Sequence, residues 1–297
     1  MKKHLILYAS CLMLVATGCK DSPKTEGPTT LSFNFPPGAV YAYLMDSHQT
    51  IEQEMMGRVS EIKQNMQMLS THQVEKAEGT NKKLTVVYDR FYIKSSSNGS
   101  DMEYDSADST KQPKELSQIG EMVNRPFSLV VSEKGEILSV DAIGSMGSKM
   151  DSNQRALAEA QSPLNDSTVR RMMEQSLNIY PASAVKVGDS WERRYVTNMG
   201  FMDMEVNSNY KLVSVSNDIA HVEITASIRS IPSTNPQMKG MNIEMSGTQN
   251  GTMDIDVKSG LIHESMFTQN VTGKMKIPGA EIPMKLTSDT RIIGKMQ

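Results

Sequence analysis

Several things are scarce in this chain, and each scarcity excludes a chemistry. Among 297 residues there are two cysteines, Cys11 and Cys19, and one tryptophan, Trp191. No Cys-x-x-Cys or His-x-x-x-His pair occurs, so the spacings of zinc sites and dithiol redox sites are missing. His48, His72, His221 and His263 lie far apart in the sequence, and each reads as a surface residue. His221 alternates with Val222 and Ile224, which places it on a wet face. There is no Gly-x-Ser-x-Gly elbow and no glycine loop leading into Lys-Ser or Lys-Thr. Two Ser-x-x-Lys matches, at Ser60–Lys63 and Ser183–Lys186, lack the companion motifs of a Ser-Lys enzyme. Asp101, Glu103, Asp105 and Asp108 are clustered, but without the glycine and distal glutamate of a calcium loop they read as a solvated acidic loop. The formal net charge is −3 and no basic run is present beyond the first residues, which argues against a nucleic-acid partner. The expectation is a protein with no catalytic residue, no metal and no cofactor.

The N-terminus carries the strongest address. Lys2, Lys3 and His4 form a positive head, Leu5 to Ala16 an apolar run, and Thr17-Gly18 a small-residue exit before Cys19. This is the layout of a signal peptide over residues 1–18. The run falls short of the roughly 20 residues of a transmembrane helix. Val15-Ala16-Thr17-Gly18-Cys19 resembles the lipobox of bacterial lipoproteins, with Ala16 where that motif more often has Leu. The resemblance implies cleavage after Gly18 and lipid on the Cys19 sulfur, so that the chain is held to a membrane of the cell envelope. The outer membrane, on its periplasmic or surface side, is the expected location. Cys11 would leave with the leader, so the processed chain can form no internal disulfide. Residues 19–30, polar and containing Pro23, Gly27 and Pro28, read as a flexible tether.

The body reads as antiparallel β-sheet. Tyr41, Tyr43 and Met45 alternate with polar neighbours, as do Leu84, Val86 and Tyr88, and the run Ala220 to Ile228. The same period of two returns at Met241-Ile243-Met245, Met253-Ile255-Val257 and Ile282-Met284-Leu286. One buried and one wet face is implied. Turns are expected at Asn98-Gly99, Lys134-Gly135, Asn250-Gly251, Ser259-Gly260 and Pro278-Gly279. The middle of the chain differs. Asp151 to Ala160 is rich in helix formers, and Asp166-Ser167 offers an N-cap for a second helix. On it Val169, Met172, Met173, Ser176 and Leu177 share one face, and Pro181 ends the run.

These signals divide the body into an N-terminal β half at 31–140, a helical connector at 141–186 and a C-terminal β half at 187–297. The halves open and close alike. Gly38 with Tyr41 opens the first, and Gly188-Asp189-Ser190-Trp191 opens the second. Hairpins around Gly135 and Gly260 close them. The fold expected is mainly β, with two related antiparallel, curved-sheet, half-barrel-like halves joined by a helix. On Gly38 and Tyr41, Gly188-Asp189-Ser190-Trp191, and Asp256 with Gly260, the chain resembles a family of uncharacterised Bacteroidota lipoproteins. That resemblance implies antiparallel β architecture and carries no catalytic residue over.

Methionine is abundant, at 24 residues. Its flexible, polarizable side chain suits surfaces that adapt to varied apolar shapes, although it also serves as ordinary core filler. The expected function is a non-catalytic, lipid-anchored binding module for an apolar or amphiphilic ligand. In outline the layout is similar to the half-barrel lipid carriers of bacterial envelopes. Met172 and Met173 on the helix and Trp191 at its strand opening are the candidate ligand-contacting residues, and Cys19 is the lipidation site. The alternative is a structural or accessory envelope lipoprotein that docks a protein partner.

Overall fold

A computed structural model describes residues 27–55, 57–142, 151, 165–199, 202–232, 242–277 and 279–297. The leader, Cys19 and most of the tether lie outside the described residues, as does the stretch after Asp151 that was expected, from its helix-forming residues, to be helical. In the first part of the chain the strands are β1 (Val40–Met55), β2 (Arg58–Glu78), β3 (Asn81–Ser97), β4 (Ser100–Asp105), β5 (Phe127–Val131) and β6 (Ile137–Asp141). The second part supplies β7 (Ser190–Met199), β8 (Met202–Ser216), β9 (Ile219–Ile231), β10 (Asn242–Asp256), β11 (Ile262–Ile277) and β12 (Ala280–Met296). A short helix α1 (Ser117–Gly120) precedes β5, and α2 (Asp166–Leu177) stands between β6 and β7.

All twelve strands form one antiparallel sheet in the order β6-β5-β3-β2-β1-β12-β11-β10-β9-β8-β7, with β4 folded back on β3. The strands of 31–140 and of 187–297 are therefore continuous, joined where β1 pairs with β12 from Tyr41↔Met296 to Gln53↔Met284. The sheet is not closed, and its edges are β6 and β7. The helix α2 bridges them. The Arg170 guanidinium donates to the Ile137 carbonyl of β6, and Asn178, just past the helix end, donates to the Arg194 carbonyl of β7 at 3.2 Å. The bridge lends both edges hydrogen-bonding partners, which an exposed edge strand otherwise lacks.

The start of α2 differs by one residue from the sequence expectation. Asn165 is the N-cap, its side chain accepting from the Thr168 amide at 2.9 Å. Asp166 instead accepts from the Ala142 amide at 2.8 Å, which ties the helix start to the end of β6. The apolar face is as expected: Val169, Met173 and Leu177 are buried, and the helix stops before Pro181.

A second difference concerns Asn250-Gly251. The expected turn is absent, and both residues lie inside the unbroken strand β10. A Cβ at Gly251 would stand 2.2 Å from the Met266 carbonyl oxygen. The glycine thus serves close approach of β11, not a reversal of the chain.

Beneath the bridge, the segment before β1 is pinned between two hairpins. The Phe33 amide donates to Glu133 O at 2.8 Å and the Asn34 amide to Ser259 O at 2.9 Å. Leu31, Phe33, Phe35 and Tyr41 are buried there, with Phe35 stacked on Tyr41 at 4.4 Å between ring centroids. Thr29, near the end of the tether, is buried too and bridges to Val185.

Candidate functional site

The concave face of the sheet carries a row of polar side chains that the strand registers place side by side. Gln64 of β2 faces Gln49 of β1, Gln49 faces Ser288 of β12, and Ser288 faces Gln269 of β11. Gln269 in turn faces Gln249 of β10, and the row continues through Ala226 of β9 to Ser208 of β8. Register partners share a face, so this is a belt running across seven strands in the hydrogen-bonding direction. Gln249, Gln269, Ser288 and Ser208 are all buried. Buried polar groups are stable only when paired. The Gln269 amide donates to Gln249 at 2.8 Å, and beside the belt the Ser47 and Thr290 hydroxyls are 2.9 Å apart, whereas the Ser208 hydroxyl has no hydrogen-bond partner among the described residues.

The belt parts two apolar zones. On one side Tyr210, Ile224 and Met253 belong to the larger core cluster. On the other, Val206, Ile228, Met245 and Leu286 belong to a smaller one. Over the smaller zone lies a cavity of about 470 Å³, walled by Met45, Met66, Met245, Met284 and Phe267, with Gln49, Gln64 and Gln269 as its polar wall. A second lobe of about 110 Å³ adjoins the larger zone, and there Met172, Met173 and Ser176 of α2 take part in the lining. Met45, Gln175, Tyr195 and Phe267 line both lobes, so the two adjoin, with Gln175 of the helix between them. Among the described residues, the only charged side chain in either lining is Lys285, which is exposed and paired with Glu52 at 3.0 Å.

The second lobe holds the residue that departs furthest from sequence expectation. His72 was expected at the surface and is instead 3% exposed. It lies among Tyr41 and Tyr43, whose ring centroids are 4.9 and 5.2 Å away. Ser70 Oγ is 3.0 Å from its Nε2, while Nδ1 has no hydrogen-bond partner among the described residues. Burial lowers the His72 pKa from 6.5 to about 3, because the imidazolium would lose its hydration with no carboxylate to replace it. So weak a base is poorly suited to take a proton from Ser70. Burial likewise raises the pKa values of Tyr41, Tyr43, Tyr180 and Tyr195, and pushes that of Tyr210 up to about 12, so the lining phenols stay neutral.

The other histidines are more exposed. His48 and His263 face solvent, and His221 is partly covered, with its Nδ1 2.7 Å from Asp254. The acidic cluster is only partly the loop expected. Asp101, Glu103 and Asp105 lie in β4, and Asp105 is buried, because both its oxygens accept from Arg90 at 3.0 and 2.6 Å. Arg90 accordingly holds the Asp105 carboxyl below the usual range. On the convex side Glu205 is buried between Arg194 and Arg229. No group of three or more His, Cys, Asp or Glu among the described residues could hold a metal ion.

The candidate contact residues therefore separate. Met172 and Met173 line the inner lobe. Trp191 is buried in the core and outside both linings. Its Nε1 donates to the Ile179 carbonyl at 2.7 Å, and its ring stacks on Tyr210 at 5.6 Å. The strand opening before it behaves as its sequence suggests: Gly188 has φ +98° and Asp189 accepts from the Lys186 amide at 2.8 Å. The belt and His72 escaped sequence reading. The signal available for both was strand parity, since His72 falls in step with Met66, Met68 and Val74, and Gln249 with Met245 and Met253.

The model of a family of unknown function (DUF6263) matches residues 79–262, more than half of the sequence. The chain belongs to that family. The matched span includes Gly188-Asp189-Ser190-Trp191 and Asp256 with Gly260, whereas Gly38 and Tyr41 precede it. No curated protein matches in sequence. Among solved structures, lipovitellin, described for its lipid–protein interactions, is similar in fold, with a TM-score of 0.51 and 11% identity over 89% of this chain. The chain spans about a quarter of lipovitellin's length (26%). Two outer-membrane-type barrels overlap far more loosely. The translocator domain of the autotransporter NalP from Neisseria meningitidis has a TM-score of 0.23 at 6% identity, over 88% of this chain and 90% of its own. An outer membrane channel from Pseudomonas putida F1 has 0.24 at 10%, over 88% and 97%.

Proposed function

We propose that this family member is a lipid-anchored lipoprotein of the cell envelope that binds an apolar or amphiphilic ligand without chemical turnover. The observation that carries the reading is the methionine-walled cavity of about 470 Å³ under α2. It falls within the roughly 300–1,000 Å³ of small-molecule sites, and mostly apolar walls with a few convergent polar groups are typical of them. Methionine at Met45, Met66, Met245 and Met284 lets the walls adjust to chains of different shape. The fold shared with lipovitellin, a protein described for its lipid interactions, supports the same reading. The anchor rests on Val15 to Cys19 and on the basic, apolar and small-residue zones before them.

Native mass spectrometry of protein purified from membranes tests the ligand. The expected result is a released mass matching a lipid-sized molecule. A protein that is empty as isolated and takes up no apolar fluorescent dye overturns the reading. Cys19→Ser tests the anchor: the variant is expected to carry no lipid at residue 19, and one that is processed and partitions to membranes as the parent does overturns the anchor.

A further inference from the structure

We infer that the ligand is an uncharged lipid with an ester or hydroxyl group inside its length, seated with that group on the glutamine–serine belt and its apolar parts on either side. The inference rests on the binding reading above and names the ligand class for that site.

Three features of the cavity lead there. First, the belt is central. It crosses the concave face between two apolar zones, with Tyr210, Ile224 and Met253 on one side and Val206, Met245 and Leu286 on the other. A detergent-like ligand with one polar end would leave either the belt or one zone mismatched. A molecule with a polar linkage flanked by apolar segments matches both. Second, the belt can both donate and accept. A carboxamide has two N–H donors and a carbonyl acceptor. The Gln249–Gln269 bond uses one donor of Gln269, and Gln49, Gln64 and Gln175 also line the larger lobe. A pure hydrocarbon would strip water from these amides and give nothing back. Third, the described lining offers no countercharge. Among the described residues no Asp, Glu or Arg lines either lobe, and the exposed Lys285 is paired with Glu52. A phosphate or carboxylate drawn inside would be desolvated and unpaired. At the inner end, Ser70 and the buried His72, whose Nδ1 has no partner among the described residues, add a further neutral polar pair in the smaller lobe.

The test uses the full chain purified from membranes, stripped of bound lipid and loaded with a displaceable apolar dye. Three probes are titrated: dioctanoylglycerol, dioctanoyl phosphatidylglycerol with the same chains and a negative head, and hexadecane. Dioctanoylglycerol is expected to displace the dye at least tenfold more tightly than either of the others. Gln269→Leu and Gln49→Leu are each expected to weaken dioctanoylglycerol at least fivefold while leaving hexadecane unchanged or tighter. Gln49 is only half-buried, so its variant keeps the test open if Gln269→Leu fails to fold. Equal or tighter binding of the phosphatidylglycerol overturns the neutral-ligand inference. So does equal binding of hexadecane with no effect of the belt variants, and in both cases the cavity reading stands. Failure of all three probes and of the dye removes both.

Discussion

Gln269 donates a 2.8 Å hydrogen bond to the Gln249 side-chain oxygen at the middle of the concave sheet, where both are less than a tenth exposed. The bond ties β10 to β11 and gives the Gln249 oxygen its donor. Gln269→Leu is expected to destabilise the fold by about 1–3 kcal/mol, because it strands a buried carbonyl. The double variant Gln249→Leu, Gln269→Leu is expected to be less destabilised than the sum of the two single variants. Urea denaturation of all four proteins gives the coupling, and strict additivity would contradict a direct bond.

His72 makes a pH prediction whose sign follows from burial. The folded state holds the imidazole pKa at about 3, against 6.5 for a free one, so between those values the unfolded chain binds the extra proton. Stability from this residue is full above pH 6.5 and falls as pH drops toward 3, by about 1.4 kcal/mol per unit. His72→Phe keeps a ring beside Tyr41 and Tyr43 and removes the titration. Its stability is expected to fall less steeply between pH 7 and pH 4 than that of the parent. Parallel slopes in denaturant melts at pH 7, 6, 5 and 4 would show that His72 is not the group responsible.

Strand character was legible because half-buried strands repeat every two residues, and Ala220 to Ile228 or Ile282 to Leu286 obey that rule strictly. The face of α2 was legible for the same kind of reason at helical spacing, since Val169, Met173 and Leu177 are its buried residues. The belt was hidden because the rule equates polar with wet. Gln249 stands at an inward position between Gly247 and Gly251, and with no apolar side chain there the strand looks interrupted. Asn250-Gly251 then supplied a plausible turn. A hairpin turn of that kind needs positive φ, and neither residue has it. Which strands lie next to each other is a long-range property. The pairing of β1 with β12, which makes one sheet of the whole body, has no local signature at all.

Gly135 and Gly260, at the two hairpins that resemble each other in sequence, both press on the ring of Tyr180, at 2.9 and 3.1 Å from where their Cβ atoms would stand. At Gly135 the same Cβ would sit 1.7 Å from the Leu177 carbonyl oxygen, which is backbone and cannot swing aside. Gly99 has nearly the same φ, +80° against +78°, with open space around it. Gly99→Ala should therefore cost only the left-handed conformation, about 1–2 kcal/mol. Gly135→Ala is expected to lose clearly more, since the end of α2 must also move. Comparable melting temperatures for the two variants would sink the close-approach argument.

Trp191 and Met172 were alike as candidates in sequence, and the fold assigns them opposite work. Trp191 is spent on the core, through its bond to Ile179 O and its stacking on Tyr210. Trp191→Phe leaves that carbonyl without its donor, and the expected result is a loss of about 1–3 kcal/mol with dye affinity nearly unchanged in the folded fraction. Met172 is only partly buried and lines the inner lobe beneath the helix, so Met172→Glu places a carboxylate where no cation among the described lining residues answers it. If the lobe takes up ligand, that change should weaken apolar dye at least tenfold while α2 keeps its buried face of Val169, Met173 and Leu177. Dye titration and thermal melts of the two variants separate the outcomes. A Met172→Glu protein that binds as well as the parent would mean that the ligand, if any, stays on the far side of the belt. A Trp191→Phe protein that melts normally but fails to bind would return the tryptophan to the site.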